Sequence, residues 1–127
     1  MPHPKLPSRG LYVITPDAYL AADGIEAAVA AAIAGGALLI QHRNKNGGYA
    51  QRYTEAVALR AICRRHGRPL IVNDDLALAR AVAADGLHIG RHDASYADAR
   101  AVLGGDAIIG VSCYGDVPAA RAAGTSP

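Results

Sequence analysis

Hydrophobic and polar positions follow one another in regular blocks along this chain. Short apolar runs rich in Val, Ile and Leu recur, and most of them are bounded by Gly or Pro. Runs of this length and composition are typical of strands that are buried on both faces. The pattern predicts five strands, at residues 11–15, 37–40, 69–73, 86–90 and 107–112.

The segments between these runs have the apolar spacing of helices. In residues 49–66, for example, Ala56, Leu59, Ile62 and Cys63 fall on one face of a helix. Helices are also predicted at residues 24–34, 75–84 and 95–103, and residues 118–123 can begin another. Strands and helices that alternate with short links predict right-handed βαβ units, a parallel sheet and an α/β fold.

The composition fits a single domain. The chain has 127 residues, of which 51% are hydrophobic, enough to bury a core. Residues 1–10 contain three prolines and three basic residues, and we expect a flexible leader there. The domain is expected to occupy residues 11–127.

Charge and residue usage argue against several classes of partner. The formal net charge is +2 and only 19% of residues are charged, so a nucleic-acid partner is not indicated. No apolar stretch is long and uninterrupted enough to span a bilayer, so we expect no membrane association. Cys63 and Cys113 have no zinc or redox spacing and are expected to be buried, and nothing resembles a secretory signal. These features predict a cytoplasmic protein.

The stretch Gln41-His42-Arg43-Asn44-Lys45 follows the second predicted strand. Side chains alternate along a strand, so Leu39, Gln41 and Arg43 share one face, and Lys45 continues it into the loop. In parallel β/α folds the chemistry lies at this end of the strands. A guanidinium beside an ammonium suits a phosphate or pyrophosphate. The alternative is that both cations merely solubilise a loop.

The later strands also end in polar residues. The third ends in Asn73-Asp74-Asp75, the fourth leads to Asp93, and the fifth ends in Ser112. Carboxylates from two strands can hold Mg²⁺, which fills its other positions with water and substrate phosphate. Alternatively, Asp74 or Asp75 caps the following helix, and Ser112 only ends a strand.

Other candidate residues have equally ordinary explanations. His88 fits a packed, hydrogen-bonded histidine better than a catalyst. His66 and His92 are expected at the surface. Tyr12 and Tyr114 suit either a pocket wall or the core.

Several motifs in order resemble one family, the thiamine-phosphate synthases. The resemblance covers about residues 10–124, which correspond to the first five of the eight strands of that family's TIM-type (β/α) barrel. It therefore implies an incomplete TIM-type barrel. The motifs are Leu11-Tyr12-Val13-Ile14-Thr15, Gln41-x-Arg43-x-Lys45, Asn73-Asp74, His88-x-Gly90-x-x-Asp93 and Gly110-Val111-Ser112.

The resemblance implies a transferase of thiamine biosynthesis. Such an enzyme joins hydroxymethylpyrimidine pyrophosphate to hydroxyethylthiazole phosphate and releases pyrophosphate, with Mg²⁺ as cofactor. It implies that Asp74 and Asp93 ligate the metal. The implied substrate-binding residues are Gln41, Arg43, Lys45, Asn73 and Ser112, and the implied catalytic residues among them are Arg43, Lys45 and Ser112.

The chain departs from the family pattern at two points. Arg91 stands where the family has Gln, which adds a cation near Asp93. The chain also ends after five strands, so we expect a truncated product whose activity is limited. Leu39, Ile71 and Ile109 are expected to meet water on the inner face unless something covers them, and self-association, a complementing chain or marginal stability should follow.

Two other functions remain open from the sequence. One is a thiazole tautomerase-like isomerase, which shares the barrel but needs no pyrophosphate site. Arg43, Lys45, Asp74 and Asp93 argue against it. The other is a non-catalytic half barrel that binds a phosphate ligand or a partner subunit.

Overall fold

A computed structural model describes residues 6–17 and 24–124 of the chain. Within these residues strands and helices alternate without exception, which confirms the α/β prediction. The strands are β1 (Leu11–Ile14), β2 (Ala37–His42), β3 (Leu70–Asn73), β4 (Gly86–Ile89) and β5 (Ile108–Val111). The helices are α1 (Gly24–Ala34), α2 (Tyr49–Arg65), α3 (Leu76–Ala81), α4 (Tyr96–Leu103) and α5 (Val117–Gly124).

Element boundaries differ from the predictions where local geometry decides them. β2 runs on to His42, beyond the predicted end at residue 40, because its polar residues still pair with β3. α3 ends at Ala81, before the predicted residue 84, because the chain turns at Ala83, whose φ is 53°. Such a positive φ is incompatible with a continuing helix.

The five strands form one parallel sheet in the order β1-β2-β3-β4-β5. Strands that follow their sequence order, each joined to the next by a helix, curl in one direction. The fold is thus a curled half-barrel, five consecutive βα units of a TIM-type barrel. All the carboxyl ends of the strands lie at one edge of the sheet.

The core lies between the convex face of the sheet and the helices. One cluster joins α1 and α2 to β2 and β3 through residues such as Val29, Ile40 and Leu59. A second joins α3 and α4 to β3 and β4, with Leu78 and Leu87 at its centre. The face of α2 predicted from the sequence is the one that packs inward.

The expectation that Leu39, Ile71 and Ile109 meet water on the inner face is wrong. Leu39 is 7% exposed and Ile71 is 1% exposed, so both side chains are already buried within the chain. Ile109 lies opposite Leu87 in the register and packs into the second cluster, on the helix side. The exposed residues of the concave face are instead Tyr12 and Ile14, on β1.

The sequence analysis predicted a flexible leader at residues 1–10 and a domain that extends to residue 127. In the predicted leader, residues 6–10 form neither helix nor strand, and residues 1–5 lie outside the described residues. Residues 125–127, the predicted end of the domain, also lie outside them. Among the described helices, none has both the length and the apolar character needed to cross a membrane.

Candidate functional site

A cavity of about 330 Å³ opens at the carboxyl ends of strands β2 to β5. The ends of parallel strands converge there, so residues far apart in sequence meet. Of the predicted site residues, Gln41 alone does not line this cavity. The other predicted site residues all line the cavity: Arg43, Lys45, Asn73, Asp74, Asp93 and Ser112.

Gln41 is buried in the sheet and connects three strands. Its Nε2 donates to the hydroxyl of Tyr12 at 2.8 Å, and its Oε1 accepts from Nδ2 of Asn73 at 3.0 Å. Burial raises the pKa of Tyr12, although the hydrogen bond from Gln41 acts against it. The tyrosine therefore stays a neutral partner, and Gln41 fixes the orientation of Asn73.

Arg43 is held by residues that follow β1. Thr15 accepts from the backbone N–H of Arg43 at 2.9 Å through its Oγ1 and donates to the carbonyl of Arg43 at 3.1 Å. Nη1 of Arg43 donates to Oδ1 of Asp17 at 2.8 Å. The same oxygen accepts from the backbone N–H of Lys45 at 3.1 Å.

Asp17 is therefore a site residue that the sequence analysis missed. Its pKa is lowered, first by the hydrogen bond from the backbone of Lys45 and then by Arg43. The signal in the sequence was its position after a strand, the same position that singled out Asp74 and Ser112. One carboxylate oxygen thus ties the end of β1 to the loop after β2.

The two adjacent aspartates after β3 have different partners. Oδ1 of Asp75 accepts from the backbone N–H of Leu78 at 2.9 Å, so Asp75 is the N-cap of α3. Asp74 has a φ of 66° and forms a salt bridge with Nζ of Lys45. Aspartate is among the few side chains that accept this backbone conformation readily. The turn therefore directs one carboxylate to the helix and the other to the cavity.

The second predicted metal ligand lies on the same cavity. Oδ2 of Asp93 accepts from the backbone N–H of Gly90 at 2.6 Å. In the described part of the chain, no group of three or more His, Cys, Asp or Glu side chains is arranged to hold a metal. Two carboxylates suffice for Mg²⁺, which retains waters and takes substrate phosphate oxygens, but not for a closed zinc site. The donor set of Asp74 and Asp93 thus fits magnesium.

His88 and Ser112 form a pair on the cavity wall, with Nε2 and Oγ 2.8 Å apart. Burial lowers the pKa of His88, and the charge of Asp93 acts in the opposite direction. A side chain at Gly110 would place its Cβ 2.4 Å from Nδ1 of His88, so glycine is needed for this packing. His88 is packed and hydrogen-bonded, as expected, but it also faces the cavity.

The remaining predictions have mixed outcomes. Cys63 is buried, and burial raises its pKa to about 12, which suits a small core residue. Cys113 is only half-buried, so the prediction that it is buried was wrong. His66 and His92 are both exposed, and His92 and Tyr114 both line the cavity.

Together these groups can bind a metal-bound anion. Arg43 and Lys45 supply positive charge, Asn73 supplies an amide, and Asp74 and Asp93 supply carboxylates to a cation that bridges to the anion. The fold defines the class of the protein: it is a parallel β/α-barrel protein, in which functional residues lie at the carboxyl ends of the strands.

Comparison with known proteins narrows this class to one family. The model of the family described as thiamine monophosphate synthase matches residues 11–127. This chain belongs to the thiamine monophosphate synthase family, which confirms the resemblance found in its motifs.

Individual relatives agree with the family match. The chain is 55% identical over 106 residues to the thiamine-phosphate synthase of Azoarcus sp., covering 84% of this chain and 51% of that protein. It is 50% identical over 108 residues to the thiamine-phosphate synthase of Methylococcus capsulatus, covering 85% of this chain and 48% of that protein. The chain thus spans about half the length of the curated relatives it matches.

A solved structure has the same fold. The thiamine phosphate pyrophosphorylase from Pyrococcus furiosus superposes with a TM-score of 0.77 at 32% sequence identity. The match covers 91% of this chain and 55% of that chain. The five βα units described above therefore correspond to about half of that protein.

Proposed function

We propose that this chain forms the pyrimidine pyrophosphate side of a thiamine-phosphate synthase site. The reaction joins hydroxymethylpyrimidine pyrophosphate to hydroxyethylthiazole phosphate and releases pyrophosphate. The observation that carries the proposal is that residues from the carboxyl ends of four strands and the loops after them line one cavity: Arg43, Lys45, Asn73, Asp74, Asp93 and Ser112. Family membership supports the same reaction.

The cations bind the diphosphate. The guanidinium of Arg43 offers two parallel donors to phosphate oxygens, and the ammonium of Lys45 adds a compact charge. Lys45 exchanges the carboxylate of Asp74 for a phosphate oxygen when the diphosphate enters. Asp74 is then available as a ligand.

Asp74 and Asp93 would hold Mg²⁺. When bound, the metal neutralises charge that accumulates on the leaving diphosphate. They follow two neighbouring strands, β3 and β4, and line one cavity, which supports this assignment. Asn73, fixed by Gln41 at 3.0 Å, orients its amide toward the same substrate.

The chemical step needs no protein nucleophile. The bond between the pyrimidine methylene and the diphosphate oxygen breaks, and its electron pair leaves with pyrophosphate. The methylene becomes cationic, and the lone pair of the thiazole nitrogen then forms the new carbon–nitrogen bond. Arg43 and Lys45 stabilise the departing charge, while Ser112, held by His88 at 2.8 Å, lies where the pyrimidine meets the diphosphate.

Both substrates are small molecules. A cytoplasmic setting is part of the proposal, and the two free thiols of Cys63 and Cys113 are compatible with a reducing compartment. The thiazole phosphate is not assigned to any residue of the described part of the chain.

Two measurements on the purified 127-residue chain test the proposal. Calorimetry should detect binding of the pyrimidine pyrophosphate that requires Mg²⁺, and thiamine phosphate should form when both substrates are present. Arg43→Ala should weaken binding by about 10-fold or more, as expected for the loss of a charge-assisted contact. Asp93→Asn should remove the dependence on Mg²⁺.

Arg65→Ala is the matched control, because Arg65 is exposed in the last turn of α2, away from the cavity. It should bind as the wild type does. Unchanged Mg²⁺ dependence in Asp93→Asn would refute the metal assignment. Binding without product from a folded chain would favour the non-catalytic half barrel.

A further inference from the structure

Three cationic side chains line the cavity, and the third of them, Arg91, is not part of either ion pair at the site. Arg43 is paired with Asp17, and Lys45 with Asp74. Arg91 also lines the cavity, and within residues 6–17 and 24–124 no carboxylate forms an ion pair with it. Its positive charge therefore remains available to an incoming anion.

Tyr114 fixes the position of Arg91. The guanidinium carbon lies 4.7 Å from the centroid of the Tyr114 ring, within the range of a cation–π contact. The backbone N–H of Arg91 donates to the hydroxyl of Tyr114 at 3.0 Å. Stacking uses the face of the guanidinium and leaves its N–H donors pointing outward in its plane.

This arrangement depends on the absence of a side chain at Gly90. A Cβ there would lie 2.7 Å from the hydroxyl of Tyr114 and 3.0 Å from Oδ2 of Asp93. Glycine thus lets the loop after β5 close on the loop after β4. The closure holds Arg91 and Asp93 on one side of the cavity.

The cations therefore lie on both sides of Asp74, which follows β3. Arg43 and Lys45 come from the end of β2, and Arg91 follows β4, with β3 between them. A ligand with a single phosphate can satisfy one of these groups. A diphosphate carries a second phosphate group, which can contact the cation that the first phosphate leaves free.

We propose that Arg91 is a specificity residue that binds the terminal phosphate of the diphosphate and thereby discriminates it from a monophosphate. The inference rests on the proposed function and adds a residue that the family pattern does not include. Tyr114 acts as its positioning residue, since both its ring and its hydroxyl contact Arg91.

The test compares two probes, inorganic pyrophosphate and inorganic phosphate, by calorimetry with Mg²⁺ present. Arg91→Gln, which restores the family residue, should lower the affinity for pyrophosphate by about 10-fold, the order of one charge-assisted hydrogen bond at an exposed site. It should leave the affinity for phosphate within about twofold. Arg91→Lys should give an intermediate loss, because it keeps the charge without the planar fork.

Tyr114→Leu tests the positioning role and should reduce pyrophosphate affinity less than Arg91→Gln does. Arg65→Ala again removes an exposed cation far from the cavity and should change neither affinity. Thermal unfolding followed by circular dichroism checks that each variant is folded. If Arg91→Gln is not folded, the pyrophosphate affinity of Arg91→Lys decides whether Arg91 binds the terminal phosphate.

Three outcomes would overturn the inference. If folded Arg91→Gln bound pyrophosphate as tightly as the wild type does, Arg91 would not be part of the site. The proposed function would be unaffected. If Arg91→Gln lowered the affinity for pyrophosphate and for phosphate equally, Arg91 would attract anions in general and would not discriminate between them. A wild-type chain that binds no pyrophosphate at all would refute the proposed function as well.

Discussion

At the scale of single residues, the site neutralises most of its own charge. The side chains of Arg43 and Asp17 are 37% and 33% exposed, and those of Lys45 and Asp74 are 47% and 25% exposed. Ion pairs this exposed add little to stability. In the proposed function, they hold the cations in place until an anion with better geometry replaces the carboxylates.

The first residue-scale prediction concerns the carboxyl group of Asp17. Its pKa, measured by carbon-detected NMR titration, should fall below the ordinary value of about 3.9 because the N–H of Lys45 and the guanidinium of Arg43 stabilise the anion. In Arg43→Ala the pKa of Asp17 should rise only part of the way to the ordinary value. The backbone N–H of Lys45, which is the larger cause, still donates.

The sign of the pH effect follows from this lowered pKa. The interactions of Asp17 stabilise the folded state fully above its unfolded pKa and are lost as the pH falls through the lower folded value. Arg65→Ala serves as the control and should leave the titration unchanged. An Asp17 pKa at or above the ordinary value would contradict the bridge to the loop after β2.

At the scale of elements, the start of α3 separates two functions in neighbouring residues. Asp75 satisfies an orphan N–H of the helix, and Asp74 turns to the cavity because its φ is positive. Capping by Asp75 contributes to folding, whereas the role proposed for Asp74 is in binding. The two functions should therefore respond to different substitutions.

Asp75→Ala should lower the free energy of unfolding by about 0.5 to 2 kcal/mol, the usual cost of losing an N-cap. Asp75→Asn should cost less, because asparagine is also a good cap. Asp74→Asn should leave stability nearly unchanged, since asparagine accepts a positive φ, but it should abolish Mg²⁺-dependent pyrophosphate binding. Urea unfolding and calorimetry on the same samples measure both effects.

The opposite pattern would refute these assignments. If Asp74→Asn lost stability and kept binding, Asp74 would be the structural residue. Ser95→Ala offers a comparison within the chain, because Ser95 caps α4 in the same way, with its side chain accepting from Asp98, and it lies outside the cavity lining.

At the scale of the whole molecule, β1 and β5 form the two edges of the described sheet. The concave face is largely closed by its own side chains, as Leu39 and Ile71 show. At the β1 edge, however, Leu11 is 58% exposed and Ile14 is 51% exposed. An edge strand with exposed apolar residues favours pairing with another strand.

We therefore expect two copies of the 127-residue chain to associate through their β1 edges. Sedimentation velocity should show a dimer whose fraction rises with concentration, and the double variant Leu11→Lys, Ile14→Lys should shift it to monomer. Val57→Lys, at an exposed apolar position on α2, is the matched control and should leave the dimer intact. A wild-type chain that stays monomeric over the whole concentration range would contradict this expectation.

Much of the fold could be predicted from the sequence because it depends on local pattern. The bounds of α1 agree with the prediction, since an Ala-rich helix followed by glycines has clear limits. The grouping of Arg43, Asn73 and Ser112 at one cavity was also predictable. Alternation along a strand and the parallel arrangement of strands are enough to place them there.

What the sequence by itself determined is therefore the order of the elements, the parallel sheet and the edge at which its chemistry lies. Only the tertiary structure decided the pairing of Arg43 with Asp17, 26 residues away, and of Lys45 with Asp74, 29 residues away. It also decided that Ile109 faces the helices. The physical reason is that these contacts depend on the register and curl of the sheet, where a shift of one residue sends a side chain to the opposite face.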